Sequence, residues 1–141
     1  MSGHSFGAYL AGPINGLTDK QVAERRKEWR SLLPVQCHCH FPEPIIERTG
    51  AVSARSTFSH DVWAIRRADV LLADLRLMDP EAGVTCYGSI AEIGIGASIG
   101  KLVVVVIEED NPMMHHPFVG GAADVLVHTA VEAAKFLRNL T

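Results

Sequence analysis

Apolar residues occur along the chain in short runs that alternate with amphipathic segments. The runs predict strands of about five to seven residues, which lie at 6–11, 35–41, 69–75, 101–107 and 123–127. The second run alternates apolar and polar positions like a half-buried strand, whereas the fourth, KLVVVVI, is almost continuously apolar. Continuous apolar strands are typical of a parallel sheet that is covered on both faces.

Helical segments separate most of these strands. Helix starts are predicted at Thr18 or Asp19, Ser59, Gly88 and Thr129, where small polar residues or glycine precede an amphipathic stretch. The first helix runs to about Leu33 and the third to about residue 99. Strands that alternate with helices predict a flavodoxin-like, doubly wound α/β fold. We expect a single domain, 1–141, with a parallel sheet of about five strands and helices on both faces.

The composition is that of an ordinary globular domain, with 48% hydrophobic and 21% charged residues among 141. The formal net charge is −3 with both signs interspersed, so no basic footprint for a nucleic-acid polymer stands out. No run reaches the roughly 20 apolar residues that span a membrane, and the N-terminus lacks signal-peptide character. Three cysteines form no disulfide framework. We therefore expect a reduced, cytoplasmic protein.

Polar side chains concentrate where the predicted strands end and the next helices begin. In doubly wound sheets this edge carries the ligand site. The candidates at this edge are Gly12, Asn15, Asp61, Asp74, Ser89, Glu92 and His116. Carboxylates that crowd together have raised pKa values and serve as acids, bases or nucleophiles. Alternatively, Asp61 and Glu92 each lie in a first helical turn and stabilise only the helix dipole.

Three segments together resemble the nucleoside 2-deoxyribosyltransferase family. They are YLAGP at 9–13, the stretch 61–69 from Asp61 to Ala68-Asp69, and GSIAEIG at 88–94. Their order and spacing match the family signature over roughly residues 8–127. The resemblance implies cleavage of the N-glycosidic bond of a 2′-deoxynucleoside, with transfer of the sugar to another free nucleobase and no cofactor.

The same resemblance implies roles for individual residues. Glu92 corresponds to the nucleophile, which attacks the anomeric carbon and forms a glycosyl-enzyme ester. Asp61 corresponds to the aspartate that handles the proton of the departing base, and Tyr9 to a tyrosine that orients the nucleophile. Gly12 and Gly88 would let the backbone approach sugar and base, and Asp74 is a further substrate-binding candidate.

The chain departs from the transferase pattern at two positions. Cys86 stands where transferases usually carry an aspartate, and a related branch of deoxynucleoside 5′-monophosphate N-hydrolases carries a serine there. That branch also has an arginine in the first loop, where this chain has Asn15. However, GAAD at 121–124 resembles the hydrolase branch and places His116 where that branch binds phosphate with a serine. His116, Ser89 and helix N–H groups could hold a phosphate.

Alternatives to these assignments remain open at this stage. His115 and His116 could simply occupy a polar loop, and a catalytically silent nucleotide sensor could share the fold. Asp74, Glu108 and Asp110 could hold magnesium for phosphoryl transfer, although no phosphate-binding Gly-Lys-Ser/Thr loop accompanies them. In this family a neighbouring subunit often completes the pocket, so a homo-oligomer is expected.

Other residues suggest chemistry that their context disfavours. Cysteines and histidines alternate in CHCH at 37–40, so on a strand they point to opposite faces, and we expect no metal site. Cys86 has no visible base that would make it a nucleophile. The glycines within 94–100 fall inside a helix and predict close packing rather than dinucleotide binding. Trp29 and Trp63 are interpreted as packing residues.

Overall fold

The computed structural model describes residues 3–12, 16–42 and 54–141, and within them five strands form one sheet. The strands are β1 (Phe6–Ala11), β2 (Cys37–His40), β3 (Val70–Asp74), β4 (Leu102–Val106) and β5 (Val125–Val127). All neighbours run parallel in the order β2-β1-β3-β4-β5, which is the flavodoxin-like order. The predicted fold class is confirmed. Strand β1 matches its predicted apolar run, and the other strands are somewhat shorter than theirs.

Helices cover both faces of the sheet. The α-helices of the described chain are α1 (Asp19–Leu32), α2 (Ala54–Arg67), α3 (Tyr87–Ser98) and α4 (Ala130–Arg138). Apolar side chains of α1 and α4 pack on one face, and those of α2 and α3 on the other. Over the same residues, no helix is both long and apolar enough to cross a membrane.

The two faces of the sheet are built from alternate strand residues. Tyr9 and its register partner Leu71 belong to the apolar cluster under α2 and α3. Leu10 and its partner Leu72 belong to the cluster under α1 and α4. Because successive side chains of a strand point to opposite faces, the parity of a strand position decides which pair of helices it meets.

The ends of the helices show where local sequence signals succeed and fail. Thr18 caps α1 in a reciprocal capping box with Gln21, as predicted. The prediction that Ser59 caps the second helix is wrong, because α2 begins five residues earlier, at Ala54. Hydroxyl side chains favour caps and turns, yet α2 continues through Ser59. The helix is stabilised here by packing, because its later turns bury Ile65 against the sheet.

Close packing of α3 on the sheet explains one of its glycines. A Cβ atom at Gly96 would approach Cδ2 of the buried Leu71 to 2.9 Å. The glycine therefore lets the helix axis lie near β3, which confirms the packing interpretation over the dinucleotide one for this position.

The two tryptophans occupy contrasting environments. Trp29 of α1 is fully buried, and its indole Nε1 donates a 2.8 Å hydrogen bond to Oδ2 of the buried Asp74. Trp63 of α2 is 56% exposed and packs at the surface, under the guanidinium of Arg67.

This contrast provides a matched test of what holds α1 on the sheet. We expect Trp29→Phe to lower the free energy of unfolding by about 2–3 kcal/mol, because it removes a hydrogen bond to a charged group and leaves a void. Trp63→Phe should change it by less than about 0.5 kcal/mol. Urea denaturation of both variants measures the difference, and equal effects would contradict this account of the core.

Candidate active site

Three predicted catalytic side chains meet on the α2/α3 face of the sheet. The hydroxyl of Tyr9, on β1, donates a short hydrogen bond to Oε2 of Glu92, on α3. The charge of Asp61, on α2, also acts on this hydroxyl and is one of the causes that raise the pKa of Tyr9. Tyr9 and Glu92 are 83 positions apart in the sequence, yet their side chains meet at the phenol oxygen of Tyr9.

The positions of the two acids within their helices weaken the purely structural explanation for them. Asp61 was placed in a first helical turn, but α2 begins at Ala54, so Asp61 lies two turns further on. Glu92 is the sixth residue of α3. Because the helix dipole acts mainly within the first turn, it does not account for either carboxylate.

Burial controls the protonation of the site. It is the main cause that raises the pKa of Glu92 to about 7; the charge of Asp61 adds to this, whereas the hydrogen bond from Tyr9 opposes it. Burial, followed by the nearby carboxylates, also raises the pKa of Tyr9 far above its usual range. Tyr9 therefore remains a neutral donor, while Glu92 exchanges its proton near neutral pH.

The turn after β1 is tied to the start of α3. The buried Ser89 hydroxyl donates a 2.9 Å hydrogen bond to the backbone oxygen of Gly12. Gly88 precedes this serine, and a Cβ atom there would meet no described atom within 4 Å. The described residues thus leave open space at Gly88, and the approach of its backbone to a ligand stays a prediction.

Cys86 lies immediately before α3, in a left-handed backbone conformation with a φ of 54°. Its side chain makes no capping hydrogen bond to the helix. Burial raises the pKa of its thiol to about 12, against an opposing effect of the positive charge of Arg25. The thiol therefore stays protonated at neutral pH, which argues against a role as nucleophile.

Asp74 is not brought to the other carboxylates. It closes β3 at an even-numbered position, so its side chain enters the α1/α4 face, opposite to Tyr9. There Arg76 binds both of its oxygens, at 2.9 and 2.7 Å, and Arg25 lies 3.3 Å away. With the bond from Trp29, this carboxylate is fully engaged in the core, and a direct substrate contact is not supported.

Of the two remaining predicted binding residues, the structure describes only His116. His116 is exposed after a short 3-10 turn (Pro112–His115), and its Nδ1 accepts a 3.2 Å hydrogen bond from the backbone N–H of Phe118. These contacts hold it to its own loop. Asn15 lies outside the described residues.

Two histidines beside the trio were not predicted as site residues. The ring of His40 on β2 stacks on Tyr9, with centroids 5.5 Å apart and planes at 22°. His60 of α2 is tilted against His40 at 5.9 Å, and its Nδ1 lies 3.7 Å from Oδ1 of Asp61. The alternation of β2 could have revealed His40, because the register pairs it with Tyr9.

The same alternation separates the sulfur and nitrogen side chains of β2. Cys37 and Cys39 pack against the α1/α4 cluster, whereas His38 and His40 line a groove beside Trp63. The expected divergence is confirmed. Among the residues that the structure describes, no three His, Cys, Asp or Glu side chains are placed to hold a metal ion.

Solved structures with this fold include enzymes of glycosidic chemistry. A 2-desoxiribosyltransferase from Leishmania mexicana superposes with a TM-score of 0.67 at 19% identity, covering 96% of this chain and 99% of that one. A CMP N-glycosidase from Clostridium botulinum gives 0.59 at 16% identity, with 95% and 96% covered. A conserved protein from Enterococcus faecalis V583 gives 0.66 at 16%, with 96% and 97% covered. These likenesses show a shared fold.

Comparison of the sequence with family models identifies the chain itself. A search of curated protein sequences finds no match. The family model described as nucleoside 2-deoxyribosyltransferase, however, matches residues 8–140, which is nearly the whole chain and includes Tyr9, Asp61 and Glu92. The protein therefore belongs to the nucleoside 2-deoxyribosyltransferase family.

Proposed function

We propose that this protein cleaves the N-glycosidic bond of 2′-deoxynucleosides through a covalent glycosyl–Glu92 intermediate and transfers the sugar to another nucleobase. The observation that carries the proposal is the hydrogen bond from Tyr9 to Glu92, with Asp61 near enough for its charge to raise the pKa of both. A partly buried carboxylate with a pKa near neutrality, beside a second acid, is an arrangement suited to covalent glycoside chemistry.

Each side chain has a distinct task in this reaction. A Glu92 oxygen bonds to the anomeric carbon as the carbon–nitrogen bond breaks, and the bonding pair leaves with the base. Asp61 gives the base a proton, so that it departs as a neutral molecule. In the second half, Asp61 takes a proton from the incoming base. This base attacks the anomeric carbon from the face that the first base left, opposite to Glu92, and displaces the carboxylate. Two displacements retain the configuration of the sugar.

Tyr9 prepares Glu92 for the attack. Its hydroxyl binds Oε2, which leaves Oε1 as the oxygen that can reach the sugar. The same hydrogen bond favours the ionised carboxylate and partly offsets the effect of burial. Because Tyr9 stays neutral, it adds no negative charge to a site that already contains two acids.

A second candidate function is hydrolysis of deoxynucleoside 5′-monophosphates to free base. The uncapped start of α3 favours it, because Cys86 contributes a protonated thiol there instead of a carboxylate that would repel phosphate. Free N–H groups at a helix N-terminus attract anions.

The exposed ring of Phe118 beside Gly94 of α3 supports the expected homo-oligomer, in which a neighbouring subunit would complete the pocket.

Turnover with two substrate sets tests the proposal. We expect the protein to form deoxyadenosine from deoxyinosine and adenine, and Glu92→Ala to reduce the rate at least ~10³-fold. Glu109→Ala, at an exposed glutamate, is the matched control and should retain activity. Chromatography identifies the products. Free base released mainly from deoxynucleoside monophosphates would favour hydrolysis. No turnover, or an active Glu92→Ala variant, would leave a nucleotide-binding sensor instead.

The pH dependence of kcat/KM tests the role of Tyr9. The acid limb should fall near pH 7 in the wild type, because Glu92 must be ionised to attack. Tyr9→Phe removes the hydrogen bond that lowers the Glu92 pKa, so the acid limb should move to higher pH by about one unit. Tyr87→Phe, at the exposed tyrosine, should leave the limb in place. An unshifted limb in Tyr9→Phe would refute this role.

Unfolding measurements test the burial of Glu92 without any substrate. Its pKa rises from 4.5 to about 7 on folding, so the folded protein binds the proton more tightly, and wild-type stability decreases as the pH rises through that range. Glu92→Gln should match the wild type near pH 4 and exceed its free energy of unfolding by roughly 2 kcal/mol at pH 8. Glu109→Gln should show no such trend. A difference independent of pH would contradict the assignment.

A further inference from the structure

We propose that His60 stores the proton that Asp61 delivers to the departing base, so that the two side chains act as one acid. This inference rests on the proposed function and extends it by a residue outside the trio. Nδ1 of His60 lies 3.7 Å from Oδ1 of Asp61, although neighbouring residues on a helix normally diverge. This separation is longer than a hydrogen bond, but catalytic hydrogen bonds often tighten only with substrate bound.

The site needs such a reservoir because its two acids have opposite requirements. Glu92 must be ionised while Asp61 carries a proton, although the two acids are close enough to interact electrostatically. Aspartic acid in water loses its proton near pH 4, whereas imidazole holds one to about pH 6.5. Imidazole is thus the more basic kind of group, so a His60 imidazolium beside Asp61 can replace the proton that Asp61 gives to the base.

A protonated His60 also helps the nucleophile. The negative charge of Asp61 is one of the causes that hold Glu92 in its protonated form. An imidazolium beside Asp61 offsets that charge, so Glu92 feels less repulsion and ionises more readily. The imidazolium thus has two effects: it restores the proton that Asp61 has given away, and while Asp61 is ionised it weakens the repulsion between Asp61 and Glu92.

The neighbours of His60 orient its ring. From β2, His40 lies at 5.9 Å between ring centroids; from its own helix, Trp63 lies at 6.1 Å, with the guanidinium of Arg67 stacked on the indole. Tyr9 of β1 and Glu92 of α3 lie beyond Asp61. The His60 side chain keeps 35% of its surface exposed against 27% for Asp61, so solvent can reload the imidazole.

The proton balance of the first half-reaction is simple. As the carbon–nitrogen bond breaks, Asp61 transfers its proton to a ring nitrogen of the base. The Asp61 carboxylate then takes the Nδ1 proton of the His60 imidazolium, and the neutral imidazole regains a proton from water. Glu92 forms the new carbon–oxygen bond, and no group is oxidised or reduced. In the return step the proton of the acceptor travels the same route backwards.

A leaving-group comparison separates this role from simple packing. The rate of base release is measured for deoxyinosine, whose base needs a proton, and for its N7-methylated cation, whose base leaves without one. For His60→Gln we expect deoxyinosine cleavage at pH 7.5 to fall about 10–100-fold, with KM little changed. Cleavage of the methylated substrate should change less than about 2-fold. The basic limb of kcat/KM should move to lower pH, because an aspartic acid alone loses its proton earlier.

Controls make each outcome decisive. His38→Gln alters an exposed histidine on β2 outside the ring contacts of His60 and should behave as wild type on both substrates. Equal losses on both substrates for His60→Gln would mean that His60 only shapes the site, and the proposal would fall. Wild-type rates on both would also overturn it. If the wild type releases base from neither substrate, the proposed function itself fails, and this inference fails with it.

Discussion

The two-residue period of a sheet that is buried on both faces determines the direction of every strand side chain in this domain. Tyr9 and Asp74 both occur near the carboxyl ends of neighbouring central strands, yet they enter opposite faces. One reaches Glu92 and Asp61 under α2 and α3, and the other binds Trp29 and Arg76 under α1. The domain therefore separates a polar site with uncompensated acids from a polar core with paired charges.

The two polar systems illustrate different solutions to burying a carboxylate. Asp74 is surrounded by the guanidinium groups of Arg25 and Arg76, so its charge is compensated and it stabilises the contact between α1 and β3. Glu92 has a neutral hydroxyl and a second acid beside it, which leaves its charge uncompensated. An uncompensated carboxylate destabilises the fold but is basic enough to react, and that is what a nucleophile requires.

Sequence patterns predicted the layers of the fold better than the details of the site. Apolar runs located all five strands because burial on both faces leaves little room for polar residues. The start of α2 was misplaced because serine and threonine also occur inside helices that packing stabilises, and Asp61 was misplaced with it. Asp74 was assigned to the site because it lies at the carboxyl edge of the sheet. That criterion does not consider which face of the sheet each strand residue enters. His40 and His60 were missed because their significance depends on ring contacts across α2 and β2.

The chemistry at the start of α3 connects family membership with the choice of substrate. In the proposed reaction the glycosyl–Glu92 ester is common to transfer and hydrolysis, so Tyr9, Asp61 and Glu92 would not distinguish the two outcomes. Discrimination must come from the groups that hold the remainder of the substrate. A buried, protonated thiol at Cys86 leaves the N–H groups of α3 without an acidic neighbour at that position. Such an environment tolerates an anionic group on the sugar, whereas a carboxylate there would repel it. Residue 86 is therefore the position at which nucleoside and nucleotide substrates should be told apart.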